Sequence, residues 1–348
     1  MELLRRGVPP FAPPSNVAHG GIGSMKVCII VASHIEYAPR IKLLMECLES
    51  LLQQTARVPI FLSISFKLDL LRDIFDAAWA KRKPQDESGL LQIHVQESKC
   101  SQFRHIYCMI NKVKNDFDYV MFCDDDDTYH LNRVEVFQFL LAAGETQALL
   151  TMSSFAGVYE IDNGKSHSIE WKEYWSYAVH MSVMIEFHNR LQNNDFIIYM
   201  DHCMCDILFS TFLRCLKHKI FIRDHMRLYN YNFSEDRFSF TTKIKDESKR
   251  ILNQKKRYTN DYSEFIISLN NFLWENMGSL SGDGSRREPI MHNMFYFVIV
   301  NRPTFDAVLQ RLLGKDYVYI KDVDPRIIHK FQESYDSLCK LLSVMCDF

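Results

Sequence analysis

The chain has 348 residues, enough to bury a large core as one α/β domain or as one domain with a smaller appendage. Its 41 basic and 43 acidic residues give a formal net charge of −2, which argues against the basic surface that general nucleic-acid binding requires. No apolar run is as long as a membrane-spanning helix, so we expect no transmembrane segment.

The first 24 residues are predicted to form a disordered extension. Met1–Ser24 is rich in proline and glycine and lacks the apolar core of a signal peptide, and Met25 begins the first predicted strand. The ten cysteines are scattered, mostly through apolar segments. This distribution favours a reducing compartment, the cytoplasm, over a disulfide scaffold.

The next hundred residues alternate strand and helix. Apolar residues at helical spacing follow each short apolar run, and this order indicates a largely parallel sheet with helices on both faces. The predicted strands are Val27–Ala32, Pro59–Ser65, Leu91–Val95 and Tyr119–Cys123. The predicted helices are Ile41–Gln54, a helix that Asp69 caps and that runs to Trp79, and Gln102–Lys114.

The second half of the chain is less regular. It predicts strands, a charged loop, a Gly- and Ser-containing linker and a mainly helical C-terminal region. The strands are Ala148–Ser153, Gly157–Ile161 and Lys219–Ile222. The helices are His202–Leu216, Tyr262–Met277 and most of Ile290–Phe348, with the loop at Asp236–Asn260 and the linker at Ser279–Glu288.

Four consecutive aspartates, Asp124–Asp127, directly follow the predicted strand Tyr119–Cys123. Ligands of open α/β sheets bind outside the carboxyl ends of the strands, so the cluster is predicted to lie at a binding site. A divalent cation offsets the mutual repulsion of the carboxylates, and oxygen ligands of this kind suit Mg²⁺ or Mn²⁺. The alternative is a solvated acidic turn.

The order of elements together with this cluster resembles the GT-A fold of glycosyltransferases. The opening Cys28-Ile-Ile-Val-Ala-Ser-His and the segment Leu48–Gln54 are similar to the start of the inverting family 2 enzymes, and Tyr119–Asp127 resembles their Asp-x-Asp motif. More narrowly, the chain resembles the small glycosyltransferases of chloroviruses, which decorate capsid glycans in the host cytoplasm.

This resemblance implies a metal-dependent hexosyl- or deoxyhexosyltransferase that moves a sugar, with inversion, from a nucleotide-sugar donor, most simply a UDP-sugar, to a glycan or glycoprotein acceptor. The expected domains are 25–235 for nucleotide-sugar binding and catalysis and 236–348 for the charged loop and helical C-terminal region. Neither the sugar nor the oligomeric state follows from the sequence.

Alignment with the family motif assigns Asp126 to the metal and Asp124 to the ribose or the metal. Asp127 is the next metal candidate, and Asp125, although adjacent to the nucleotide, points into the protein, since alternate residues of an extended chain share a face. The third metal or diphosphate ligand expected from the resemblance is His225; a structural histidine is the alternative.

The nucleotide is expected to be bordered by the residues after the first strand and by the start of the helix at 102–114. These candidates are Ala32, Ser33, His34 and Glu36, then Lys99, Gln102 and Arg104. The family has an acidic residue after the second strand to hold the uracil or ribose. This chain has only hydroxyls there, of which Ser65 is the candidate, before Asp69.

An inverting transferase needs a general base for the acceptor hydroxyl. The resemblance predicts a carboxylate at the start of a helix: Asp201, with Asp206 in reserve, and the alternative for Asp201 is a helix N-cap. Four aromatic residues also suggest either an exposed groove that stacks on a sugar or part of the core. They are Trp171, Tyr174, Trp175 and Tyr177.

Two other functional classes compete with this interpretation. A nucleotidyltransferase acting on sugar phosphates would carry a glycine-rich phosphate loop after the first strand, whereas Ser33–Pro39 contains no glycine. A non-catalytic metal- or nucleotide-binding module is the third possibility, and the absence of EF-hand spacing weakens its calcium-binding form.

Overall fold

The structure is a computed structural model that describes residues 25–82, 89–142, 148–155, 174–193, 196–201, 205–216, 220–232, 298, 301–313, 317 and 325–346. Within these ranges, no helix combines the length with the hydropathy that crossing a bilayer requires.

The first half alternates strand and helix as predicted. Its elements are β1 (Val27–Ile35), α1 (Ala38–Leu52), β2 (Ile60–Phe66), α2 (Asp69–Ala80), β3 (Leu91–Val95), α3 (Gln102–Val113) and β4 (Tyr119–Asp124). Helix α1 begins three residues before the predicted Ile41, because Pro39 fits the first turn, where its missing N–H costs no hydrogen bond. The residue that precedes α2 is Leu68, so Asp69 lies in the first turn and is not the predicted cap.

The second half supplies both strands and helices. Its described elements are β5 (Thr128–Tyr129), α4 (Arg133–Ala142), β6 (Ala148–Phe155), β7 (Tyr177–His180), α5 (Met181–Asn193), α6 (Cys205–Cys215), β8 (Ile220–Tyr231), α7 (Phe305–Leu313) and α8 (Pro325–Cys346). The sequence did not predict α4, β7 or α5. Helix α4 is hard to recognise because Val134, Val136 and Phe137 are all buried, which blurs a helical stripe.

The eight strands of the described residues form one sheet in the order β3-β2-β1-β4-β7-β6-β8-β5. The pairs β1–β2, β1–β4, β2–β3 and β6–β8 are parallel, and the pairs that involve β7 or β5 are antiparallel. Strands β1 and β4 are central, and Ala32 of β1 is paired with Asp124 of β4. The aspartate cluster therefore lies at the carboxyl edge of the middle of the sheet.

The predicted fold class, a mostly parallel central sheet flanked by helices with a helical C-terminal region, is confirmed. Helix α8 packs on α5, where the Arg190 guanidinium donates to the carbonyls of Val344 and Met345, each at 3.1 Å. Several predicted segments lie outside the described residues: Met1–Ser24, Gly157–Ile161, Asp236–Asn260, Tyr262–Met277 and Ser279–Glu288.

Candidate active site

The four aspartates alternate between the protein interior and the accessible edge of the sheet. Asp125 and Asp127 are 6% and 1% exposed, whereas Asp124 and Asp126 are partly exposed. Strand β4 ends at Asp124, and Asp125 and Asp126 lie in the turn that follows, in which the backbone N–H of Asp127 donates to the carbonyl of Asp124 at 3.2 Å, so this turn and not strand alternation sets the pattern. Two carboxylates are therefore available to a ligand and two are held inside the protein.

Asp125 is held by a serine and an arginine. The Ser33 hydroxyl donates to its Oδ2 at 2.5 Å, and the Arg40 guanidinium donates to its Oδ1. The same Arg40 Nη2 lies 3.8 Å from Oδ2 of Asp126. Asp125, which we expected next to the nucleotide, is thus an internal anchor, and Ser33 supports it from β1.

Arg40 contacts the acid cluster, and the sequence analysis did not identify it as a site residue. It lies in the first turn of α1, and its side chain is 17% exposed. The carboxylate of Asp125, with smaller effects from Asp126 and Asp124, raises the pKa of this guanidinium above its ordinary value. The available sequence signal was a basic residue in the first turn of the helix that follows β1, the strand that pairs with β4.

Asp127 is anchored by the last strand of the sheet. The Tyr229 hydroxyl donates to its Oδ2 at 2.8 Å, and the backbone N–H of Asn232 donates to its Oδ1 at 2.7 Å. Burial, together with the neighbouring Asp124 and Asp126, raises the pKa of Asp127 to about 9. Since both of its oxygens are bonded within the protein, Asp127 is a weaker metal candidate than Asp126.

Asp124 faces the start of α3. Its Oδ1 accepts the Gln102 side-chain amide at 2.8 Å and also the Tyr174 hydroxyl. Burial and the nearby Asp124 carboxylate raise the pKa of Tyr174 well above its ordinary range, so the phenol stays a donor. The predicted phosphate-side residue Gln102 is thereby brought to the acid cluster.

Asp126 is the carboxylate with the most freedom to take a cation. Its Oδ2 lies 3.8 Å from Arg40 Nη2, and burial followed by the charge of Asp125 raises its pKa to about 6. The described residues contain no group of three or more His, Cys, Asp or Glu side chains placed to hold a metal ion. His225 lies in β8, but its side chain is outside the described part of the structure.

This donor set fits a metal that is shared with a substrate. Mg²⁺ is commonly held by one or two carboxylates, several waters and substrate phosphates, not by an all-protein cage. Asp126 with Asp124 matches that pattern, because both carboxylates are partly exposed at the end of β4 and in the turn after it.

The nucleotide-side candidates of β1 and β2 form a buried polar chain. His34 Nδ1 lies 2.8 Å from the Ser65 hydroxyl, and the same hydroxyl lies 3.0 Å from His105 Nε2. His105 Nδ1 in turn lies 2.8 Å from the Ser63 hydroxyl. Ser65 is fully buried, so it supports His34 and is not open to a ligand; Ala32 is likewise buried.

Charged residues lie on the outer side of these hydrogen-bonded serine and histidine side chains. Lys99 forms an ion pair with Glu36 at 2.9 Å, and His34 Nε2 lies 3.9 Å from the same Glu36 oxygen. The described part of the chain supplies no hydrogen-bond partner for His34 Nε2. His34, Glu36 and Lys99 therefore lie together at the carboxyl edge, where we predicted the nucleotide.

The two base candidates have opposite environments. Asp201 is half exposed, and Arg104 holds it through both carboxylate oxygens at 2.8 to 3.1 Å. Hydrogen bonds from Arg104, with help from Ser101, lower the pKa of Asp201. Arg104, predicted to meet the diphosphate, is thus engaged by Asp201. Because residues 202–204 are outside the described ranges, the N-cap alternative stays a prediction.

Asp206 lies in the first turn of α6. Burial raises its pKa to about 6, and its Oδ1 is a buried acceptor with no hydrogen-bond partner among the described residues. Its charge also contributes to the raised pKa of Tyr174, the residue that donates to Asp124. Asp206 and Asp124 consequently act on the same phenol.

The aromatic cluster belongs to the core. Tyr174, Trp175 and Tyr177 are 2%, 5% and 0% exposed, and Trp171 lies outside the described residues. Trp175 stacks on Tyr229 with ring centroids 4.2 Å apart. Of the two alternatives that the sequence left open, part of the core holds for these three residues and an exposed groove does not, because polar neighbours in sequence do not reveal what packs on the rings in space.

No protein-family model matches the chain, and no curated protein matches it. Among solved structures it is similar to S. aureus TarS, with 17% identity and a TM-score of 0.49 over 89% of this chain and 55% of that one. It is also similar to S. aureus TarS 1–349 in complex with UDP-GlcNAc, with 15% identity and a TM-score of 0.46 over 92% and 90% of the two chains.

A third similar structure is the mannosyltransferase PcManGT from Pyrobaculum calidifontis in complex with GDP-Man and Mn²⁺, with 12% identity and a TM-score of 0.44 over 92% of this chain and 85% of that one. This chain spans about half the length of the longer TarS chain, 55%. Likenesses of this size transfer neither an activity nor residue roles to the chain.

Proposed function

We propose that this chain is a metal-dependent glycosyltransferase of the GT-A type that moves a hexose or deoxyhexose, with inversion, from a nucleotide-diphosphate sugar to a hydroxyl of a glycan acceptor. A UDP-sugar is the simplest donor, and the reducing cytoplasm, in a virus-infected host if the narrower resemblance holds, is the location. One observation carries the proposal: Asp124 and Asp126 face outward at the carboxyl edge of β4, while Asp125 and Asp127 are tied inside.

Glycosyl transfer from such a donor releases a nucleoside diphosphate. When bound, Mg²⁺ or Mn²⁺ supplies charge neutralisation of this leaving group without a proton transfer. The residues that would hold the cation are Asp126 and Asp124. Gln102 and Tyr174 fix the orientation of Asp124 by donating to its Oδ1.

The donor nucleotide is assigned to the edge formed by β1 and the start of α3. His34, Glu36 and Lys99 line this edge, and the twelve-residue helix α3 begins beside it with Ser101 as its N-cap. A helix N-terminus favours phosphate because its free N–H groups and dipole are positive. Arg104 is assigned to holding Asp201 and not to the diphosphate, since its guanidinium is already paired.

The general base is assigned to Asp206 in preference to Asp201. A general base takes a proton most efficiently when its pKa lies near the working pH. Burial brings Asp206 to a pKa of about 6, whereas hydrogen bonds from Arg104 lower the pKa of Asp201. Asp201 then has a structural role: it joins its short 3₁₀ helix, Ile197–Asp201, to α3 through Arg104 and Ser101.

The test is a panel of UDP- and GDP-sugars scored for nucleoside diphosphate release with Mn²⁺, and with EDTA as the control. We expect Mn²⁺-dependent release from one or a few donors, and thermal stabilisation by the matching nucleotide with Mn²⁺. Release of pyrophosphate from a nucleoside triphosphate and a sugar phosphate would instead support a nucleotidyltransferase. Metal and nucleotide binding without turnover of any donor would support a non-catalytic module.

A further inference from the structure

We infer that Arg40 is a built-in counter-cation of the acid cluster and that it makes divalent-cation binding depend on the nucleotide diphosphate. This inference rests on the proposed function and deepens it, because it assigns a regulation to the proposed metal site. Arg40 is a positioning residue here: it acts on the carboxylates and not on the donor sugar.

The argument begins with position. Arg40 is anchored by Asp125, an inner carboxylate that Ser33 also holds at 2.5 Å. From this anchor the guanidinium extends toward the accessible side, where its Nη2 lies 3.8 Å from Oδ2 of Asp126. One cation thus contacts an inner aspartate and the outer aspartate proposed to take the metal.

Three other described cationic side chains near the site contact residues outside the acid cluster. Lys99 pairs with Glu36 at 2.9 Å, and Arg104 pairs with Asp201 at 2.8 Å. Arg133 is fully buried behind Tyr229, with its guanidinium carbon 5.1 Å from that ring centroid. Arg40 is the cation that the chain has placed against Asp125 and Asp126.

The consequence is electrostatic. A guanidinium beside Asp126 offsets the repulsion among the four carboxylates in the metal-free protein. A divalent ion that approaches Asp126 must then sit next to this fixed positive charge in a partly buried site, where screening by water and salt is weak. A diphosphate brings negative charge to the same place and offsets that repulsion. The metal alone should therefore bind weakly, and the metal with a diphosphate should bind tightly.

This is a coupling between two ligands and must be reciprocal: UDP strengthens Mn²⁺ binding by the factor by which Mn²⁺ strengthens UDP binding. Calorimetry measures that factor as the ratio of the Mn²⁺ dissociation constants without and with saturating UDP. The readout needs no turnover. The variants are Arg40→Gln, Arg40→Lys and Asp125→Asn, with Lys42→Gln as the matched control, since Lys42 is an 80% exposed cation on the same helix.

Arg40→Gln should bind Mn²⁺ alone about tenfold more tightly than the wild type and should show a coupling factor smaller by about the same amount. Arg40→Lys keeps the charge and should stay close to the wild type. Asp125→Asn releases Arg40 toward Asp126, so it should bind Mn²⁺ alone more weakly and show a larger coupling factor. Lys42→Gln should change neither quantity, although it removes the same charge.

The expected changes in Mn²⁺ affinity have opposite signs in Arg40→Gln, which should bind more tightly, and in Asp125→Asn, which should bind more weakly. Simple damage to the site would instead weaken Mn²⁺ binding in every variant, so the two results separate the proposed role from a structural one. Unchanged or weaker Mn²⁺ binding by folded Arg40→Gln would overturn the inference. If Arg40→Gln does not fold, Asp125→Asn provides the test. An Asp125→Asn coupling factor equal to that of the wild type, or tighter binding of Mn²⁺ alone, would overturn the inference. A wild-type protein that binds neither Mn²⁺ nor UDP would instead overturn the proposed function.

Discussion

Tyr229 joins the last aspartate of the cluster to the backbone of the first. Its hydroxyl donates to Asp127 Oδ2 at 2.8 Å and accepts the backbone N–H of Asp124 at 3.0 Å. The ring is fully buried between the stacked Trp175 and the guanidinium of Arg133. The direction in which β4 ends is therefore set by core residues from β8 and α4, far away in sequence.

Tyr229→Phe should lower the free energy of unfolding by about 1–3 kcal/mol, because the buried Asp127 carboxyl loses its donor and the N–H of Asp124 loses its acceptor. Mn²⁺-dependent UDP binding should weaken as well, since the end of β4 loses its anchor. Urea denaturation and calorimetry measure the two effects. Tyr107→Phe is the control, because the Tyr107 hydroxyl makes only a long contact with Gln192, at 3.3 Å on the exposed surface. Wild-type stability for Tyr229→Phe would contradict the anchoring role.

Asp126→Asn should abolish Mn²⁺-dependent UDP binding while the fold is retained. Removing one carboxylate from a repulsive, partly buried group leaves stability unchanged or higher, and a neutral amide attracts the cation less strongly than a carboxylate does. Calorimetry with UDP and Mn²⁺ measures the loss of binding, and thermal melting measures the stability of the variant. Asp76→Asn, on the exposed face of α2, is the control. Equal Mn²⁺-dependent affinity for the Asp126 variant and the wild type would remove Asp126 from the metal site.

The first half of the fold and the position of the site follow from the sequence, because apolar periodicity reports burial directly. The run 119–123 and the four aspartates after it predict the cluster at the carboxyl edge. Alternation along an extended chain gives the right accessible pair, Asp124 and Asp126, although the structure produces this pair through a turn at Asp125 and Asp126. These inferences need only local pattern and the general behaviour of parallel sheets.

The partners of the cluster could not be predicted in the same way. Arg40 meets Asp125 across 85 positions of sequence, and Tyr229 meets Asp127 across 102. Such contacts depend on the packing of α1 and β8 against the sheet, which no local pattern encodes. The partner of Arg104 shows the same limit: its charge suggests a phosphate, and the contact with Asp201, 97 positions away, is not visible in any local pattern.

His188 should contribute a loss of stability as the pH falls below 6.5. This histidine is fully buried on α5 against Tyr107 and Phe187, and burial lowers its pKa from 6.5 to about 3. Between these values the unfolded chain binds a proton that the folded chain does not bind, so the free energy of unfolding falls with decreasing pH. The slope is about 1.4 kcal/mol per pH unit for one such group.

Relative to the wild type, His188→Leu should reduce the fall of the unfolding free energy per pH unit by the share of one histidine. His105, whose pKa burial lowers to about 4, contributes in the same direction as His188, whereas the raised pKa values of Asp126 and Asp206 contribute in the opposite direction, and neither contribution changes in the variant. Urea denaturation at several pH values between 4 and 7 measures the slope. The exposed His329 on α8 supplies the control as His329→Leu. An unchanged slope in His188→Leu would mean that His188 is not buried in the neutral form.

Asp206→Asn and Asp201→Asn should separate the two candidate bases. Asp206→Asn should lower turnover by about 10²- to 10⁴-fold, the usual contribution of general-base catalysis, and should leave UDP and Mn²⁺ binding intact. A base acts on the acceptor proton in the transition state and adds little to donor affinity. Asp201→Asn should leave turnover within a few-fold of the wild type and should cost only the part of stability that its contact with Arg104 contributes.

The dependence of turnover on pH tests independently whether Asp206 or Asp201 is the general base. The base must be ionised, so turnover should fall below pH 6 if it is Asp206, whose pKa burial raises to about 6. The pKa of Asp201 is lowered from 3.8, so an Asp201 base would keep turnover constant through that range. Saturating donor and acceptor are required, because the profile of kcat then reports groups of the bound complex. A full loss of turnover in Asp201→Asn, with a profile that stays flat down to pH 5, would return the base role to Asp201.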